Sequence, residues 1–117
     1  MTVTLRGTGS VAITHGCAAE TTSTETVLSG SELDARPWTS VTYTLTALVN
    51  AVKWAVYGAN AADYSGELPV QALTTVTAGA SGTYTNALAP FSYYRVKVKD
   101  NVDETHGSVL LYGKATA

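Results

Sequence analysis

A single cysteine, a single phenylalanine and three prolines are all that this 117-residue chain contains of those types. Cys17, being alone, excludes an intrachain disulfide framework and fits either a reducing compartment or a fold that needs no bridges. Charge is equally sparse, with seven basic residues against nine acidic ones and a formal net charge of −2. Nucleic-acid binders draw most of their affinity from many Lys and Arg contacts to phosphates, so no nucleic-acid partner is expected. Low net charge combined with 45% hydrophobic residues argues against disorder. No run approaches the roughly 20 apolar residues of a membrane-spanning helix, so no membrane partner is expected either. The opening "MTVTLRGTGSVAITHG" lacks a charged n-region followed by an apolar h-region. No secretory signal is expected, and synthesis in a cytoplasm is.

Threonine is the commonest polar residue, beside seven tyrosines and many valines and alanines. These are strand formers, whereas the Glu, Lys, Gln and Arg that cover exposed helix faces are scarce. The reading is all-β, one domain over residues 1–117, with 1–20 as a candidate extended N-terminal arm. A chain of this size buries roughly 65% of the surface its unfolded form exposes, enough for a core without staples.

Period-two patterns place the strands. In "SVTYTLTAL" (40–48), Val41, Tyr43, Leu45 and Ala47 share one face and three threonines the other. In "AVKWAVYG" (51–58), Val52, Trp54 and Val56 oppose Lys53, Ala55 and Tyr57. Only Val49 and Asn50 separate the two runs, which predicts a tight hairpin with Asn50 at positive φ. Residues 58–69 read as a loop, 70–78 and 83–85 as strands around the turn "AGASG", and 86–90 as a bend. "FSYYRVKVKD" and "SVLLYGKA" (108–115) are strands on either side of the polar turn "NVDETHG". Short strands are predicted at 2–6, 11–14 and 24–29, and "SGSELDARPW" as a loop or single helical turn capped by Ser31. About eight strands at this spacing predict a single β-sandwich, jelly-roll or immunoglobulin-like.

Chemistry is thin. His15, Cys17 and Glu20 lie close in sequence, but a zinc site needs a further ligand pair, so a loop and a small buried thiol are the better reading. Asp100, Asp103 and Glu104 lack the ligand spacing of an EF-hand and read as a solvated turn in which Asp100 and Asn101 bond their own backbone. No phosphate loop and no nucleophile–base signature is present, so no enzyme activity, catalytic residue, metal or cofactor is expected. Tyr43, Trp54 and Tyr94 alternate with the apolar residues and belong to the core, leaving Tyr57, Tyr64 and Tyr93 for the surface. Val109, Leu110, Leu111 and Tyr112 are apolar on both faces of their strand, which with Tyr57 makes them candidates for a protein contact, or else marks a central strand with a loop packed over its outer face. Arg95, Lys97 and Lys99 stand at every second position of "YYRVKVKD" and read as a solvated face or as the rim of a protein contact. Glu67, Asp63 or a carboxylate of "DNVDE" are their candidate partners across the sheet.

The order of segments resembles small structural proteins of tailed bacteriophages. The segments that carry it are "AETTSTETVLSGSEL", "WTSVTYTLTAL", "VKWAVYGANAADYSGE", "AGASGTYTNALAPFSYYRVKVKD" and "GSVLLYGKA". The resemblance implies a virion location and a capsid decoration, head-fibre or neck role. Its partners would be the major capsid protein or an adjacent virion subunit, with self-association into a homo-oligomer such as a trimer. A glycan-binding module using Tyr57, Tyr64 and Tyr93 is the competing expectation.

Overall fold

The computed structural model describes residues 10–36, 40–86 and 90–116. They form nine strands: β1 (Ser10–Glu20), β2 (Thr26–Val27), β3 (Leu33–Asp34), β4 (Ser40–Val49), β5 (Val52–Ala59), β6 (Leu68–Val76), β7 (Ser81–Asn86), β8 (Tyr93–Asp100) and β9 (Ser108–Thr116). All are paired antiparallel in two sheets, one in the order β1-β9-β4-β7 and the other β2-β8-β5-β6, with β3 also on β8. With the two-residue β3 set aside, the first strand pairs the last, the second the seventh, the third the sixth and the fourth the fifth. That is a long antiparallel hairpin rolled into two sheets, the jelly-roll arrangement.

Alternation set the faces as expected. Val41, Tyr43, Leu45 and Ala47 of β4 are fully buried, as are Tyr94 and Val96 of β8, while Trp54 is 1% exposed. The pairing of β4 with β5 differs from expectation. Asn50 does adopt φ 59° at the two-residue connection, but the strands enter opposite sheets and do not pair. Their apolar faces meet across the core, and alternation is the same in a hairpin and in such a crossing. The Asn50 side-chain amide donates to the His106 carbonyl at 2.8 Å, tying the crossing to the β8–β9 turn.

Residues 10–20, half of the expected arm, instead run along β9 from Ser10↔Thr116 to Glu20↔Ser108, with a register shift between Ile13 and Cys17. The predicted strand at 2–6 lies outside the described residues, as do the side chains of His15 and Cys17. The 29–38 segment is not a helical turn over its described part. Ser31 is buried, and its hydroxyl bonds both the amide (3.0 Å) and the carbonyl (3.3 Å) of Val96. Tyr43 donates its hydroxyl to the Ser31 carbonyl at 2.7 Å, so this loop is stitched over the core.

Asp100 is not the solvated turn residue its neighbourhood suggested, being 1% exposed. The Thr21 hydroxyl donates to its Oδ1 at 2.6 Å, and His106 Nδ1 lies 3.0 Å from Oδ2. Thr21 follows β1, Asp100 ends β8 and Gly107 precedes β9, so this cluster joins the two sheets at one end.

Candidate protein-contact face

The outer face of the β2-β8-β5-β6 sheet carries the row that the sequence singled out. Arg95, Lys97 and Lys99 point away from the core on β8, opposite Tyr57, Ala55 and Lys53 of β5 respectively. Directly opposed residues of antiparallel strands share a face. Four of the chain's seven cations therefore gather here: Lys53, Arg95, Lys97 and Lys99.

Two of the four are engaged within the protein. Glu67, just before β6, accepts from Arg95 Nε at 2.9 Å and Nη2 at 2.6 Å, and from Lys97 Nζ at 3.0 Å. The same two cations cover aromatic rings, with the Arg95 guanidinium 4.3 Å from the Tyr64 centroid and the Lys97 ammonium 4.2 Å from that of Tyr57. Tyr57 donates its hydroxyl to Glu25 at 3.1 and 3.2 Å. The Arg95 contact, ahead of the Lys97 one, holds the Glu67 carboxyl below the usual glutamate value. Burial, and then Glu25, push the Tyr57 phenol up.

Lys53 and Lys99 differ from the other pair. They are direct cross-strand partners, and among the described residues neither forms an ion pair. Like charges so placed are mildly destabilising. The row thus has a neutralised, ring-backed end at Arg95 and Lys97 and an open positive end at Lys53 and Lys99.

Other expected contact residues fall elsewhere. Val109 and Leu111 are fully buried and cannot reach a partner, because they sit on the inward-facing side of β9. Leu110 is half-buried and Tyr112 is 48% exposed on the outer face of the other sheet, beside Thr46 and Thr44. Tyr57 is half-buried on the cationic face. Tyr64 belongs to the core margin, only 9% exposed, with its hydroxyl on the Tyr94 carbonyl at 2.8 Å and its phenol pushed up to about 12 by burial. Asp63, the other candidate partner, instead bonds the Ser65 amide. Lys53 was the residue overlooked. Its outward position was legible, but its register against Lys99 was not.

Glu67→Gln tests the neutralised end. It is expected to cost about 1 kcal/mol at neutral pH, since one bidentate pair and a second cation lose their carboxylate. A carboxyl with a depressed folded pKa stabilises above its unfolded pKa and loses that contribution as pH falls through the folded one. The gap between variant and parent in urea melts should therefore close below about pH 4.

The described residues define a two-sheet jelly roll with a polarised charged face. No family profile and no curated protein matches the sequence. Solved structures do match in fold. The PBSX exported protein XepA aligns at TM-score 0.61 and 15% identity over 99% of this chain, which spans 39% of that one. A chain from Bacillus endospore appendages, a family of disulfide-linked pili, aligns at TM-score 0.52 and 13% identity over 92% and 85% of the two chains. PirA aligns at 0.50 and 14% identity, covering 84% and 92%.

Proposed function

We propose that this chain is a non-enzymatic structural protein of a tailed-phage virion, a capsid decoration subunit that binds the shell or a neighbouring neck or tail subunit. The observation that carries this reading is the facing pair Lys53 and Lys99 on a rigid sheet, next to two cations already neutralised by Glu67. A partner surface bearing carboxylates relieves their repulsion and gains orientation from the fixed end of the row. Such complementarity sets register and association rate more than raw affinity. Attachment of several copies would strengthen a modest single contact. The segment resemblance to small phage proteins supplies the virion setting.

The glycan-binding alternative loses its platform. Tyr64 is nearly buried, Tyr57 and Tyr64 each carry a cation over one ring face, and the Arg36 guanidinium lies 5.1 Å from the Tyr93 centroid.

The double variant Lys53→Glu/Lys99→Glu tests the proposal by co-sedimentation with capsids. Both positions are half-exposed and a facing pair of like charges is kept, so melting temperature should be little changed. Binding should weaken by about tenfold or more, and the parent's binding should fall with added salt. Full binding by the charge-reversed variant, or failure of the parent to pellet with any virion part, would sink the proposal.

A further inference from the structure

On the side opposite β1 the two sheets end in β6 and β7, consecutive strands that diverge from the turn at 77–80. A cleft of about 230 Å³ opens between them, lined by Trp54, Gln71, Thr74, Val76, Gly82 and Thr83 among others. Gln71 lies opposite Val56, and Thr74 opposite Trp54. The Gln71 side-chain nitrogen is buried with no acceptor among the described residues. The Trp54 indole nitrogen, which reaches the cleft, lies 3.2 Å from where a Cβ at Gly82 would stand and has no acceptor among the described residues. The Gln71 amide is thus a buried donor without an acceptor among the described residues, which buried polar groups in folded proteins rarely are, and the Trp54 N–H borders the same cleft.

The walls limit the occupant. No charged side chain occurs between Glu67 and Arg95, so both bordering strands are neutral and lack the lysines that usually guard sheet edges. β7 pairs with β4 in unbroken register from Val41↔Asn86 to Thr46↔Ser81, and among the described residues its other edge is unpaired. β6 is a poorer template, because Pro69 lacks an N–H and its register on β5 shifts twice. Trp54 offers the cleft its N–H edge, while its ring is packed in the core, so a sugar ring finds no stacking face.

We propose that the cleft is a binding site for an extended, uncharged polypeptide segment. The segment adds as a strand along the β7 edge and brings a backbone or side-chain carbonyl to Trp54 Nε1 and Gln71 Nε2. Main-chain pairing supplies affinity and alternate side chains entering the cleft supply specificity, the logic of strand addition. This site is separate from the cationic face and stands without it.

The test uses ¹⁵N-labelled full-length protein titrated with a capped, uncharged octapeptide of alternating threonine and valine, and in parallel with a neutral hexasaccharide. Peptide should move the Trp54 indole resonance downfield, move the Gln71 side-chain amide, and slow β7 amide exchange by about tenfold. Lys53→Glu/Lys99→Glu should bind the peptide as the parent does, which separates this site from the capsid-contact reading. Gly82→Val should abolish the shifts by filling the cleft. Since a Cβ there also meets Val76 Cγ2 at 3.0 Å, the exposed edge variant Thr83→Lys provides the same loss without touching the core. A Trp54 resonance unmoved by peptide, one moved by the saccharide alone, or undiminished peptide binding by Thr83→Lys overturns the proposal.

Discussion

Trp54→Ala is expected to lower the free energy of unfolding by about 3–5 kcal/mol, the usual cost of deleting a large aromatic from a core. Trp54 heads the fully buried side chains by volume, and β5 holds it between Val52 and Val56 on the inward face. The void cannot close easily. The nearby 77–80 turn is pinned to β4 by the Gly79 amide on the Ala47 carbonyl (2.8 Å) and the Ala47 amide on the Ala80 carbonyl (3.1 Å). A cavity that cannot collapse keeps both the transfer cost and the lost dispersion contacts. Domains of this size have only about 5–15 kcal/mol in hand, so the melting temperature should fall by well over 10 °C. Trp54→Phe retains most of the volume and should cost far less. Urea melts giving Trp54→Ala a loss under 1 kcal/mol would mean that the side chain is not the centre of the core.

The faces of the strands were legible and their neighbours were not. Side-chain alternation is a local property, so Tyr43, Trp54 and Tyr94 could be placed inward, and Lys97 and Lys99 outward, from spacing alone. Which strand lies beside which depends on where each connection turns. A two-residue link between β4 and β5 reads as a hairpin because short loops usually make hairpins. Here the link crosses between sheets, since both strands present apolar faces that the core needs on opposite sides. The order β1-β9-β4-β7 therefore lay beyond the reach of a reading by segments.

The candidate face was half legible for the same reason. Glu67 was among the carboxylates expected to meet the cations, and it takes two of them. The facing of Lys53 with Lys99 needed the register of β5 on β8. In "SVLLYGKA" four consecutive apolar residues suggested a sticky strand. Alternation sends Val109 and Leu111 inside, and only Leu110 and Tyr112 out. Tyr64 misled in the opposite direction. It sits in a polar loop at φ 62°, yet its ring folds back beneath Arg95.

Thr21→Val is expected to cost about 1–3 kcal/mol, because it removes a donor from a buried carboxylate. The Thr21 hydroxyl has one proton and two acceptors in range, Asp100 Oδ1 at 2.6 Å and the Gly107 carbonyl at 3.3 Å, and the short charge-assisted bond takes it. Its oxygen in turn accepts from the Gly107 amide at 2.8 Å, so the substitution strands two buried groups at once. The cluster has no slack: a Cβ at Gly107 would stand 2.6 Å from the Val49 carbonyl. Burial by itself would raise the Asp100 pKa. The hydroxyl of Thr21, then the His106 imidazole and Ser23, outweigh burial and hold the carboxyl below its ordinary value. A depressed folded pKa means stabilisation that is complete above the unfolded value, near pH 4, and is lost as pH falls through the folded one. The parent should accordingly lose stability from about pH 4 downward, and Asp100→Asn should be less stable at neutral pH yet flatter across that acid range. Thr21→Val, with its carboxylate less well held, should be less stable than the parent at neutral pH and should lose less further stability as pH falls below about 4, between the parent and Asp100→Asn. Denaturant melts at closely spaced pH values decide the matter, and an Asp100→Asn acid limb as steep as the parent's would show that another carboxylate, Glu67 foremost, governs acid unfolding.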